Sequence, residues 1–333
     1  MYLVTGAAGF IGSALVAHLN QQGITDLLLV DDFLHYPDKT PNWETKQFRD
    51  RIERDELFAR WDAENWNLKG VYHLGARTDT TEPDRALFEV LNIDYSREVW
   101  KRCAERSIPL VYASSAATYG LGERGFTDSH AVVDDLEPLN EYGRSKNEFD
   151  KWALAQVHGG GKERGPAPTP PRWYGLKFFN VYGPNEYHKG RMASVVWHTF
   201  RQVKATGKMK LFRSHNPNYA DGQQSRDFIY VKDLCEVCRW LMDTSTAPSG
   251  LYNLGTGKAR PFLDLATATF RAMDKEPDIG YIDTPADLRE KYQYFTEADM
   301  GKLRAAGYDR AFRTLEEGVG EYVREYLIPG KYY

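Results

Sequence analysis

Tyr142-Gly-Arg-Ser-Lys146 sets a phenol and an ammonium four residues apart. On a helix that spacing puts both groups on one face. A buried cation beside a phenol lowers the phenol's pKa from about 10 towards working pH, so Tyr142 can give and take protons. Upstream, Ser114 and Ser115 close the apolar run Leu110–Ala113. Ligands of open α/β sheets bind at the carboxyl ends of the strands, where a serine can hydrogen-bond a reacting oxygen. Y-x-x-x-K alone is common by chance. Its pairing with a strand-end serine, Ser114 or Ser115, marks Tyr142 and Lys146 as catalytic candidates.

A second constellation lies at the N-terminal end. Thr5-Gly6-Ala7-Ala8-Gly9-Phe10-Ile11-Gly12 follows the apolar run Tyr2–Val4 and opens a helical stretch reaching Gln22. Gly6 permits a tight turn, Gly9 lets backbone approach a pyrophosphate, and Gly12 lets helix and strand pack closely. The amides and dipole of the helix then meet negative charge. Asp31 follows the second strand run, 19 residues after Gly12, where an acid can hold an adenosine ribose hydroxyl. The expected cofactor is NAD or NADP. Asp31 and Asp32 repel a 2′-phosphate, whereas Lys39 on the next loop can reach one, so the choice stays open.

These groups need a scaffold, and the apolar pattern supplies one. Strands are expected at Tyr2–Val4, Leu27–Val30, Val71–Leu74, Leu110–Ala113, Tyr174–Phe179 and Leu251–Leu254. Helices are expected near Ile11–Gln22, Arg85–Glu105, Tyr142–Val157, Ala193–Ala205, Lys232–Asp243, Phe262–Met273 and Leu315–Tyr326. Strands alternating with helices imply parallel pairing and right-handed crossovers, hence an α/β fold with a doubly wound parallel Rossmann sheet and a smaller, mainly C-terminal α/β substrate domain. Gly159–Arg172, with clustered glycines and four prolines, and the polar Ser214–Gln224 read as surface loops.

Composition narrows the function classes. Net charge is −4, so there is no basic surplus to neutralise nucleic-acid phosphates. No apolar run reaches the roughly 18–20 residues that cross a bilayer, and no signal peptide is expected. Three cysteines, Cys103, Cys235 and Cys238, fit a reducing compartment better than a disulfide framework. Cys235 and Cys238 are spaced like metal ligands but lie in an expected helix without a second Cys/His cluster. They read as small residues on one helix face, and no metal is expected.

TGAAGFIG, YASSAATYG, YGRSK and RDFIYVKDL, in this order, resemble the extended short-chain dehydrogenase/reductases that act on nucleotide sugars. The resemblance spans essentially the whole chain. It implies a Ser115–Tyr142–Lys146 set serving hydride transfer with tightly held NAD(P), and Asn92 ordering the active-site helix. Leu74, Gly75, Ala76 and Val181 complete the expected cofactor contacts. The run Glu186-Tyr-His-Lys-Gly-Arg-Met-Ala-Ser194, with Lys291-Tyr-Gln-Tyr-Phe-Thr296 and Leu303–Tyr308, resembles the branch that inverts C6″ of ADP-glycero-manno-heptoses. That branch oxidises C6″ to a transient ketone and re-reduces it from the other face, so Lys189 is expected as a second acid/base beside Tyr142. Substrate contacts implied are Ser115, Asn180, His188, Lys189, Arg191, His198, Phe212, Arg226 and Tyr292. Arg226 suits a pyrophosphate through its paired donors, unless it instead pairs with Asp227.

The expected division is residues 1–182 with about 228–260 for the dinucleotide, and 183–227 with 261–330 for the substrate. A cytoplasmic homo-oligomer supplying heptose for lipopolysaccharide is what the resemblance implies. Two departures stand out: the insertions named above exceed what that branch requires, and GAAG replaces the more usual GGAG. Ala116-Ala117 after Ser115 argue against a sugar dehydratase, which carries an acidic pair there. A UDP-hexose 4-epimerase shares Ser, Tyr and Lys but does not require Lys189, and a non-catalytic dinucleotide-binding module does not require Tyr142 or Lys146.

Overall fold

The computed structural model describes residues 1–158, 167–285, 289 and 292–333. Most of the Gly159–Arg172 loop and Lys291 of the second motif therefore lie outside the described residues. The strands are β1 (Tyr2–Thr5), β2 (Leu27–Asp31), β3 (Asp50–Glu53), β4 (Gly70–His73), β5 (Leu110–Ser115), β6 (Trp173–Phe178), β7 (Asn180–Tyr182), β8 (Met209–Phe212), β9 (Ser225–Tyr230), β10 (Gly250–Leu254), β11 (Ala259–Pro261) and β12 (Ile279–Ile282). The helices that frame the site are α1 (Phe10–Gln21), α2 (Thr40–Trp43), α3 (Leu57–Ala63), α4 (Arg85–Phe88), α5 (Tyr95–Glu105), α6 (Glu141–His158), α7 (Val195–Thr206), α8 (Val231–Asp243) and α9 (Phe262–Ala272).

Seven strands form one parallel sheet in the order β10-β6-β5-β4-β1-β2-β3. The inner strands read as largely apolar runs because both faces are covered, whereas the edge strand β3, Asp50-Arg-Ile-Glu53, buries only Ile52. Successive residues serve opposite faces. Val4, Leu27 and Leu29 join the core that includes α1 and α8, while Leu3, Leu28 and Val30 join the core that includes Trp61, Val99 and Trp100. The strand order reverses between β1 and β4, and a crevice opens at their carboxyl ends.

Two smaller sheets lie outside this one. β7, β9 and β11 form a three-stranded sheet, and β8 pairs with β12 in parallel. Cys235 and Cys238 are both buried on α8, where desolvation pushes their thiols up.

Two expected helices are interrupted. Arg85–Glu105 divides into α4, a π turn at Glu89–Asp94 and α5. The helix expected at Leu315–Tyr326 gives way to a π turn at Tyr322–Leu327. A π turn inserts one residue into a helix without disturbing the apolar rhythm on either side, so periodicity alone misses it.

Candidate active site

The glycine turn is built to be bare. Gly6 has φ +69°, and a Cβ on it would lie 2.6 Å from the Gly75 nitrogen. A Cβ on Gly12 would lie 2.0 Å from the Gly6 carbonyl. Gly9 caps α1 without a side chain, so the first amides of the helix face the crevice. A cleft of about 540 Å³ opens over this turn. Its walls include Gly6, Gly9, Phe10, Ile11, Gly12, Asp31, Asp32, Lys39, Leu74, Gly75 and Ala76. A dinucleotide fits this donor set: amides at a helix start for the pyrophosphate and acids at the end of β2 for a ribose.

At the β2 end, Asp31 also ties the turn together. Its Oδ2 accepts from the Ala8 nitrogen at 2.9 Å, and its Oδ1 accepts from Lys39 Nζ at 3.2 Å. Arg54 Nη1 stands 3.7 Å from Asp32. Thus each acid carries a cation, and the crevice end is less negative than the Asp31-Asp32 pair suggests.

On the other side of β4, β5 delivers Ser115 and α6 delivers Tyr142 and Lys146. Lys146 Nζ donates to the Ala113 carbonyl at 2.8 Å, which holds helix to strand. A hydrogen bond with Ser115 favours the ionised Tyr142, yet burial outweighs it and raises the phenol, with the Asp150 charge acting in the same direction. Burial lowers Lys146 to about 8, while Asp150 opposes that fall. The downward pull expected from Lys146 does not appear among these effects: Ser115 is the group that lowers Tyr142, and desolvating the phenolate outweighs it. Ser114, the other strand-end serine, donates to Asp150 at 2.6 Å, and Asp150 pairs with the fully buried Lys177 at 2.8 Å. Asn92 sits in the π turn. It donates to Ser145 Oγ at 2.9 Å and to the Arg77 carbonyl at 3.0 Å, and accepts from the Arg77 nitrogen at 2.8 Å.

The segment Tyr187–Met192 folds as a 3₁₀ turn broken at Gly190, whose φ is +54°. It brings His188 and Lys189 into the wall of the dinucleotide cleft. Lys189 Nζ lies 5.7 Å from the centre of the Phe10 ring, and burial lowers its pKa. His188 bonds Asn42 at 3.2 Å near Lys39 and Asp31, and burial lowers it to about 4.

The expected substrate contacts are not all gathered together. His188 lies at the Asp31 end of the cleft. Arg191 points outward and donates to Thr81. His198, half-buried on α7, contacts the Arg191 carbonyl at 3.3 Å. Asn180 is exposed and Val181 half-buried on β7, and Val181 is not part of the cleft wall. Phe212 is partly exposed at the end of β8.

Arg226 and Tyr292 do meet. The Arg226 guanidinium packs on the Tyr292 and Phe262 rings at 5.4 and 5.5 Å and donates to the Ser225 and Gln293 carbonyls. Gln293 in turn donates to the Gly120 carbonyl, so this patch abuts the turn that follows Ser115. The ion pair of Arg226 with Asp227 does not form. Asp227 instead accepts from the Thr256, Gly257 and Ala298 nitrogens.

The sequence profile of the NAD dependent epimerase/dehydratase family matches residues 2–255. The chain belongs to that family. It is 46% identical, over 98% of both chains, to a Fusobacterium nucleatum protein named ADP-L-glycero-D-manno-heptose-6-epimerase. It is 49% identical, again over 98% of both, to a protein of the same name from Nitratidesulfovibrio vulgaris. Among solved structures, the Helicobacter pylori ADP-L-glycero-D-manno-heptose-6-epimerase superposes with TM-score 0.77 at 23% identity, covering 97% of this chain and 95% of that one. Thermus thermophilus UDP-glucose 4-epimerase in complex with NAD superposes with TM-score 0.74 at 23% identity, covering 97% of each. Both likenesses show the Rossmann-type α/β fold.

Several residues at the site escaped the sequence reading. Arg54, Arg77 and Asp79 line the cleft from loops whose charges look like ordinary surface. Asp150 extends the Tyr142–Lys146 face by one further helical step, a signal that was present but unread. Glu186 stood inside a quoted motif without a role.

Proposed function

We propose that this chain is an NAD(P)-dependent epimerase that inverts C6″ of ADP-glycero-manno-heptose. The supporting observation is that the cleft holding the glycine turn also receives Lys189, a buried lysine separate from Tyr142 that can serve as a second proton-transfer group. The two end-to-end relatives named for this activity support the same substrate class. On this reading residues 1–182 and 228–260 serve the dinucleotide, and 183–227 and 261–330 serve the sugar nucleotide.

A bound nicotinamide supplies a reversible hydride acceptor and donor. The protein's own work is binding and proton management. Gly6–Gly12, Leu74–Ala76, Asp31 and Lys39 hold the dinucleotide. Arg226, seated on Tyr292, binds the substrate pyrophosphate. Ser115 hydrogen-bonds the C6″ oxygen, and Tyr142, acting as its phenolate after the phenol has given up its proton, takes the hydroxyl proton as the alcohol becomes a ketone. Lys146 anchors the catalytic face through Ala113. When the ketone presents its opposite face, Lys189 returns a proton to the oxygen, and the other epimer leaves with its configuration inverted at C6″.

The test is direct. Purified protein is incubated with ADP-D-glycero-D-manno-heptose and the two epimers are separated by chromatography. Interconversion is expected. No interconversion with the dinucleotide bound, or turnover of UDP-galactose in its place, overturns the reading. Mass spectrometry of the released dinucleotide distinguishes NAD from NADP by one phosphate.

A further inference from the structure

Glu186 is 1% exposed, yet it is a carboxylate. Both of its oxygens are occupied by one residue: the Ser194 nitrogen donates to Oε2 and the Ser194 hydroxyl to Oε1, each at 2.6 Å. These two residues bracket Tyr187–Met192. Inside the bracket the Lys189 nitrogen donates to the Glu186 carbonyl at 2.9 Å, and the Ala193 nitrogen to the Gly190 carbonyl at 3.2 Å. Glycine at position 190 supplies the left-handed φ that lets so short a segment close. The result is a fastened turn with Lys189 on the cleft side and a buried anion at its base.

We infer that Glu186 is a positioning residue for Lys189: clasped by Ser194, it closes the turn that presents the ammonium to the cleft and fixes a negative charge behind it. This rests on the reading of Lys189 as a proton-transfer group.

The groups around Lys189 come from several elements. α1 contributes the Phe10 ring, the loop after β4 contributes Arg77 and Asp79, the turn itself contributes His188 and Arg191, and Asp31 and Lys39 lie across the cleft. The Tyr322 phenol from the C-terminal π turn faces Glu186. Of these neighbours it is Glu186 that raises the proton affinity of Lys189, against the lowering by burial. Removing the charge leaves burial unopposed.

Glu186→Gln and Ser194→Ala separate the two functions. Dinucleotide-loaded protein is labelled with acetic anhydride across a pH series, and acetylation of Lys189 is quantified by mass spectrometry against a surface lysine. In Glu186→Gln the labelling midpoint of Lys189 is expected to fall by about one pH unit or more. In Ser194→Ala the charge remains, so the midpoint stays while kcat for epimerisation drops and KM holds. An unmoved midpoint in Glu186→Gln overturns the inference, as does an unaltered kcat in Ser194→Ala if the first variant does not fold. The midpoint needs no sugar substrate, so a failure of the heptose assignment is distinguishable from a failure of this one.

Discussion

At the scale of single residues, Tyr142 and Lys189 are the two groups whose removal separates chemistry from binding. Tyr142→Phe deletes one oxygen and keeps the ring, so α6 and its packing survive. Lys189→Met keeps the length of the chain over Phe10 and deletes the charge. Each variant is expected to lose at least about a hundredfold in kcat, the scale of one positioned proton-transfer group, while retaining its dinucleotide. Turnover measured beside cofactor content by mass spectrometry checks this, and full activity in Lys189→Met refutes a second proton-transfer group. The positions of Ser115, Tyr142 and Lys146 were legible because each sits where the chain is punctuated: a strand end, or one helical step along a face. The placement of His188 was not: the motif resemblance assigned it to the sugar, the turn sets it at the Asp31 end of the cleft, and no periodicity announces a turn broken at Gly190.

At the scale of elements, the β1–α1 turn makes a sharp distinction between two glycines. Gly12 is a packing glycine, since its Cβ would collide with the Gly6 carbonyl backbone. Gly9 has φ −72°, and a Cβ there meets only the Gly6 carbonyl, at 3.2 Å, before it projects into the cleft. Gly9→Ala is therefore expected to fold with Tm close to that of the parent but to bind dinucleotide weakly. Gly12→Ala is expected to lose both, with a marked fall in Tm, because backbone must move to admit the methyl. Thermal melts with and without added NAD or NADP read the two effects apart, and equal melting losses in both variants would refute the distinction. Strands β1, β2, β4, β5, β6 and β10 and most helices were legible from buried apolar runs and amphipathic rhythm, whereas the edge strand β3 and the short strands of the two smaller sheets were not. The π turn at Glu89–Asp94 was not, although its function follows from it: the added residue rotates Asn92 towards Ser145 and Arg77, which ties the cleft loop to the catalytic helix.

At the scale of the whole molecule, three histidines are held neutral by burial, and two of them, His73 and His188, join separate parts of the fold. His73 bridges Thr5 on β1, at 2.7 Å, and Ser96 on α5, at 2.9 Å. His18 lies on α1 among cations that include Arg239 of α8, and His188 fastens the Lys189 turn to α2. Burial lowers His73 to about 3 and His18 and His188 to about 4. In the unfolded chain each takes up a proton near 6.5, and in the folded chain each resists until well below that. The unfolded state therefore binds more protons between about 6.5 and 4, and the histidines' share of stability, complete above 6.5, is lost as pH falls through that window. The buried acids Asp128, Glu186, Asp227 and Asp233 act in the opposite sense, because desolvation raises them. The net melting curve mixes both contributions, so the informative quantity is a difference. Comparing the parent with His73→Gln by denaturant unfolding from pH 8 to pH 4.5, the stability gap is expected to be constant above about 6.5 and to shrink below it. The slope of that shrinkage approaches about 1.4 kcal/mol per pH unit, one proton's worth. A gap that stays constant from pH 8 down to pH 4.5 would mean that His73 takes up its proton at the same pH in the folded and unfolded chains, and would refute its being held neutral by burial.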